Sequence, residues 1–135
     1  MSDPIRDILT TTSRIAVVGA SNKPGRAGNY VFAFLVARGF DVIGVNPGIA
    51  GQTLHGRPVV ATLGDAGPLD MVDVFRAPDQ VGPVVADAMR LGARTIWLQL
   101  GVTNPAAETA ARGAGLRVVA DRCPLIEWRR LHLPT

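Results

Sequence analysis

Cysteine is almost missing from this sequence. Cys123 is the only thiol in 135 residues, so no intrachain disulfide can form. That usage fits a reducing compartment, and the chain is expected in the cytoplasm. Long apolar runs are missing as well: the longest, such as 31–37, fall far short of the ~20 residues a membrane span needs. The first residues lack a basic segment followed by an apolar stretch, so no signal peptide is expected. Only His55 and His132 supply imidazole, and neither has Cys, Asp or Glu neighbours at ligand spacing, so no metal site is expected. No spacing suggests a Ser–His–Asp set or a carboxylate pair. The chain therefore reads as a binding module rather than an enzyme, with no catalytic residue assigned.

Aromatic residues make up 5% of the chain, and its basic residues are scattered apart from Arg129-Arg130. A net charge of +3 and a pI of about 10.0 could suit nucleic acid. Without a cationic run or stacking platforms, that partner is set aside. A modest positive balance suits a small phosphorylated ligand equally well. The length and a hydrophobic fraction of 47% fit one globular domain over 1–135, with its core over about 14–131.

Short apolar runs alternate with segments of helical period, which argues for a parallel sheet covered by helices. Asp3-Pro4 opens a short helix bearing Ile5, Ile8 and Leu9 on one face. Strands are expected over Arg14–Val18, Asp41–Val45, Met71–Phe75, Thr95–Leu100 and Leu116–Ala120. Helices are expected over about Asn29–Arg38, from Asp79, from Asn104-Pro105, and over Ile126–Leu131. The stretch from Ile49 to Pro68 is irregular, a long connection with room for a small hairpin. The predicted architecture is a Rossmann-like, doubly wound α/β domain. Its five parallel strands are expected in the order 3-2-1-4-5, with helices on both faces and ligands at the carboxyl ends of the strands.

The loop after the first strand runs from Gly19 to Gly28. Glycine permits a tight turn and close backbone approach, and the following helix aims its free N–H groups at the loop. Ser21 can donate a hydrogen bond, while Arg26 and Lys23, the only lysine in the chain, can neutralise phosphate. Neither G-x-x-x-x-G-K-[ST] nor G-x-G-x-x-G is present. The second strand ends Val45-Asn46-Pro47, where an NAD site would place an acidic residue for the ribose.

Five segments at predicted strand ends resemble the CoA-binding domain family: Gly19-Ala20-Ser21, Val45-Asn46-Pro47, Val72 to Pro78, Trp97 to Gly101 and Asp121 to Pro124. The family's small free-standing members are similar to the CoA-binding domain of the succinyl-CoA synthetase α subunit. The resemblance spans about Arg14 to Leu131. It implies coenzyme A or an acyl-CoA as ligand, with Gly19, Ala20, Ser21, Lys23 and Arg26 facing the phosphates. Asn46 and Pro47 would lie beside the nucleotide. Phe75, Arg76 and Pro78 would form a wall, and Gln99 and Gly101 would line the far side. Arg76 reads equally as a phosphate partner or as a surface charge. Cys123 reads as a packed thiol or as a partner for the thiol of CoA. Two other readings stay open: a detached subunit of an acyl-CoA ligase, and an NAD(H)-responsive module.

The helix over Asn29–Arg38 carries apolar residues all round. Val31, Phe34 and Leu35 are expected to face the sheet, with Tyr30, Phe32 and Val36 beyond them. The C-terminal tail is expected to cover the extra face, with a homodimer as the alternative to a monomer.

Overall fold

In the computed structural model, which describes residues 3–135, the chain builds one mostly parallel sheet. Its centre is β1 (Arg14–Val18), which pairs in parallel with β2 (Asp41–Val45) on one side and β5 (Met71–Val74) on the other. Beyond β5 lie β6 (Thr95–Leu98) and β7 (Arg117–Val119). Residues 71–74 and 95–98 are wholly buried, as expected for strands covered on both faces.

The irregular stretch does hold a small hairpin: β3 (Thr53–Leu54) and β4 (Arg57–Val60) pair antiparallel. Not foreseen is that β4 then adds in parallel to β2. The sheet therefore has seven strands in the order β3-β4-β2-β1-β5-β6-β7, which corrects the expected five in the order 3-2-1-4-5. β4 takes the third place beside β2, so Met71–Val74 moves to the opposite side of β1. β4 is held partly by side chains. The Arg57 guanidinium reaches the Val42 carbonyl (2.8 Å) and pairs with Asp41, which also pairs with Arg14 of β1 (2.7 Å).

Five helices divide between the two faces. α1 (Pro4–Thr11), α2 (Ala27–Ala37) and α5 (Pro124–Arg130) share one core with Ile15, Val17, Val42, Met71 and Trp97. α3 (Val81–Arg90) and α4 (Pro105–Gly113) share the other with Ala16, Val18, Val72, Val74 and Leu98. Asp3 and Asn104 cap α1 and α4 as expected, each followed by proline. No helix among the described residues is long and apolar enough to cross a membrane.

On α2 the buried positions are Gly28, Asn29, Val31, Phe32 and Leu35. Phe32, not Phe34, thus turns to the sheet, because the close approach at Gly28 fixes the helix face. Phe34 instead meets Trp128 of α5 edge-on at 5.9 Å, and Phe40 does so at 6.0 Å. The tail is anchored by Arg6 on the Leu131 carbonyl (2.9 Å), by Arg130 on Asp3 (3.1 Å) and by Trp128 Nε1 on the Pro134 carbonyl (3.1 Å). The tail thus packs on α2 as expected, but against Phe34 and not over the whole face that was named: Phe32 turns to the sheet and Tyr30 stays half exposed.

Asp73 lies inside β5 between Val17 and Trp97, fully buried, with no hydrogen-bond partner for either carboxylate oxygen among the described residues. Burial pushes its carboxyl well above the ordinary carboxylate range.

Two expectations follow. Replacing Trp128 by Ala should lower unfolding free energy in urea by about 3–5 kcal/mol, since a nearly buried indole is lost from the seam between α2 and α5; a variant as stable as wild type would place the tail's contribution elsewhere. For Asp73 the folded state keeps a proton that the unfolded chain releases. Wild-type stability should therefore fall as pH rises above the unfolded value near 3.8, by at most about 1.4 kcal/mol per pH unit. Asp73→Asn removes that term, so it should gain on wild type between pH 3 and pH 7. Parallel stability curves would rule out the protonated carboxyl.

Candidate functional site

The loops after β1, β2, β5 and β6 open together into a cleft of about 530 Å³ at the carboxyl ends of the strands. Backbone ladders continue one residue past the strands to shape it: Gly19 N bonds Val45 O (3.0 Å), Phe75 N bonds Val18 O (2.8 Å) and Gln99 N bonds Val74 O (3.1 Å).

Two glycines set the loop at the end of β1. Gly19 turns with φ +93°, and a Cβ there would meet the Phe75 carbonyl oxygen at 2.5 Å. Gly28, in the first turn of α2, faces the Gly19 carbonyl so closely that a Cβ would sit 2.4 Å from its oxygen. No side chain caps α2 at Arg26, in contrast to α1 and α4.

Two of the loop's carbonyls are held by asparagine amides. Asn46 Nδ2 donates to the Ala20 carbonyl (2.8 Å), and its Oδ1 accepts from Gly48 N (2.8 Å). Asn29 Nδ2 donates to the Ser21 carbonyl (2.9 Å). Ser21 Oγ accepts from Lys23 N (3.1 Å), which tightens the turn. Among the described residues Lys23, Arg26 and Arg76 line the cleft, and no carboxylate does. Among the described residues no cluster of three His, Cys, Asp or Glu could hold a metal.

Of the residues expected at the site, Gly19, Ala20, Ser21, Lys23, Arg26, Asn46, Phe75, Arg76 and Gln99 line this one cleft. Four do not. Pro47 and Pro78 are exposed and start the 3-10 turns 47–49 and 78–80 on the outer side. Gly101 turns with φ +83°, its N–H tied to Asp121 Oδ1 (2.7 Å), while its neighbours Leu100 and Val102 face the cleft instead. Cys123 is buried at the start of α5 and packs into the core shared with α1 and α2.

The cleft also includes Asn22, Ala27, Gly28, Ile49, Leu100 and Val102, which sequence reasoning did not assign. Leu100, more than half exposed, was expected as the last residue of the strand from Thr95, which ends at Leu98 instead, so no signal in the sequence marked it for the cleft. Gln99 is nearly buried and its Oε1 has no partner among the described residues.

Fold and cleft together define a Rossmann-like α/β domain with a glycine-rich loop and a cationic cleft at its strand ends. The chain belongs to the CoA binding domain family, which matches residues 13–129. A relative in Bacillus subtilis (strain 168), the uncharacterized protein YneT, is 34% identical over 120 residues, 88% of this chain and 87% of that protein. A solved structure from Thermus thermophilus shares 39% identity with a TM-score of 0.91, covering 97% of this chain and 99% of that one. The dinucleotide-forming acetyl-coenzyme A synthetase 1 of Ca. Korarchaeum cryptofilum matches over 85% of this chain and 27% of its own length, with 23% identity and a TM-score of 0.70, a likeness of fold alone.

Gly28→Ala should destabilise the protein by about 1–3 kcal/mol in chemical denaturation, because the new methyl meets backbone that cannot yield. Gly25→Ala, with nothing within 4 Å of its Cβ position, should change stability little. Equal effects of the two substitutions would show that the loop and α2 separate freely.

Proposed function

We propose that this chain is a binding protein for coenzyme A or an acyl-CoA, held in the cleft at the carboxyl ends of β1, β2, β5 and β6. The observation that carries the reading is the convergence of nine residues, first named for a phosphate-bearing cofactor, on one cleft that has three cations and no carboxylate. Family membership supports the same ligand. The loop 19–28, with its Ala20 and Ser21 carbonyls bonded to asparagine amides and α2 uncapped, would take the pyrophosphate on the backbone N–H groups at the start of α2. Lys23 and Arg26 would add charge-assisted contacts. Phe75, Leu100 and Val102 would give the pantetheine arm or an acyl chain an apolar wall.

Asn46 weighs against NAD. Both ends of its amide are already committed within the protein, and it carries no charge for a ribose diol. A thermal-shift panel tests the assignment, since a ligand that binds the folded state raises the melting temperature by mass action. CoA or acetyl-CoA should raise it more than NAD does. Lys23→Ala and Arg26→Ala should each weaken CoA binding by about 1–3 kcal/mol in titration calorimetry while leaving stability nearly unchanged. Stabilisation by NAD but not by CoA would overturn the assignment, and unchanged affinity in the double variant would move the phosphates elsewhere.

A further inference from the structure

The hairpin of β3 and β4 turns through His55 and Gly56, both with positive φ (49° and 79°). Two such residues in a two-residue turn favour Asn-Gly. Histidine at the first position therefore answers to something besides the turn, and a non-glycine residue in that region invites a functional reading. His55 is itself exposed, but its imidazole reaches back to α2. The ring lies 6.1 Å from that of Phe32, and Nε2 is 3.1 Å from Asn29 Oδ1.

Asn29 is 6% exposed and sits in the first turns of α2. Because its Nδ2 donates to the Ser21 carbonyl, its Oδ1 can only accept. The proton of the bond to His55 is therefore on Nε2. An asparagine amide is nearly symmetric in shape, so packing alone does not choose between its two orientations. The Ser21 carbonyl chooses, since it can only accept, and reversal would set Asn29 Oδ1 against that oxygen. His55 Nε2, in the tautomer that donates, adds the second bond that holds the amide in place.

From this chain of bonds we infer that His55 is a positioning residue for the phosphate loop. By holding Asn29 Oδ1 it keeps Nδ2 on the Ser21 carbonyl, and so keeps the loop tied to the start of α2. The inference deepens the coenzyme A reading and rests on it for the ligand, but the ordering of the loop can be measured without ligand.

His55→Asn is the informative substitution. It suits the turn, yet it is too short to reach Asn29, so the hairpin survives while the contact is lost. Two measurements apply: backbone hydrogen exchange of residues 19–26 in the free protein, and CoA affinity by calorimetry. The expected result is faster exchange confined to that loop, affinity reduced by about two- to tenfold, and a melting temperature close to wild type. In an Asn29→Ala background His55→Asn should add nothing further, since both changes break one chain. Wild-type exchange in His55→Asn, additive effects of the two substitutions, or a loss of affinity that merely tracks a falling melting temperature would each overturn the positioning role. If the wild-type protein takes up no CoA, the ligand assignment fails, and the exchange measurement alone decides whether His55 orders the loop.

Discussion

The site depends on the near-contact of two backbones, the Gly19 carbonyl at the end of β1 and the Cα of Gly28 in the first turn of α2. There is no room for a side chain between them: a Cβ on residue 28 would lie 2.4 Å from the Gly19 oxygen. The approach brings the start of α2 to the edge of the cleft and seats Val31, Phe32 and Leu35 on the sheet. A third glycine completes the fit. At Gly44 of β2 a Cβ would stand 3.3 Å from the Phe32 ring and 3.1 Å from the Ala20 methyl. The orientation of the helix, its buried face and the floor of the cleft thus follow from one steric condition.

A backbone loop that binds an anion must also dispose of its carbonyl dipoles, which would repel the ligand as strongly as the N–H groups attract it. Here consecutive carbonyls, Ala20 and Ser21, are each claimed by an asparagine amide. The two asparagines come from different elements, the end of β2 and the start of α2, and each uses its own oxygen elsewhere, on Gly48 N and on His55. The loop is therefore held from three directions: by β2, by α2 and, through His55, by the hairpin at the sheet edge.

Strong local signals made much of this legible in advance. β1 and β2 match their expected bounds because four-residue apolar runs, Ile15–Val18 and Val42–Val45, are followed by Gly19 and Asn46, and α4 starts at its expected Asn-Pro cap. β4 was not legible. Arg57–Val60 contains a proline and only one fully buried residue, and it pairs with β2 over just Gly44↔Val59 and Val45↔Val60. That hidden strand alone changed the sheet order. Phe32 and Phe34 were exchanged for a similar reason: an apolar helix has no self-evident inner face, and the contact that chooses one, Gly28 on Gly19, is tertiary. At the site, glycines and cations were legible by type. Ile49, Leu100 and Val102 were not, because an apolar residue in a loop looks like core until the loop is placed. The role of Asn46 was legible only in part. Its missing charge could be read from the sequence, its two hydrogen bonds could not.

The division of labour within the cleft also has a physical logic. Lys23 and Arg26 are exposed, so water and salt screen them. Charges of that kind draw an anionic ligand in and raise its rate of encounter more than they fix its pose. The loop's N–H groups do the opposite. Under the proposed reading, those still open at the start of α2 would reach only as far as hydrogen bonds, in directions set by the Gly19–Gly28 contact and the two asparagines, so little ordering would remain on binding. Attraction can tolerate variation in the placement of a flexible side chain. Orientation cannot, and here it is assigned to backbone whose geometry is locked by packing.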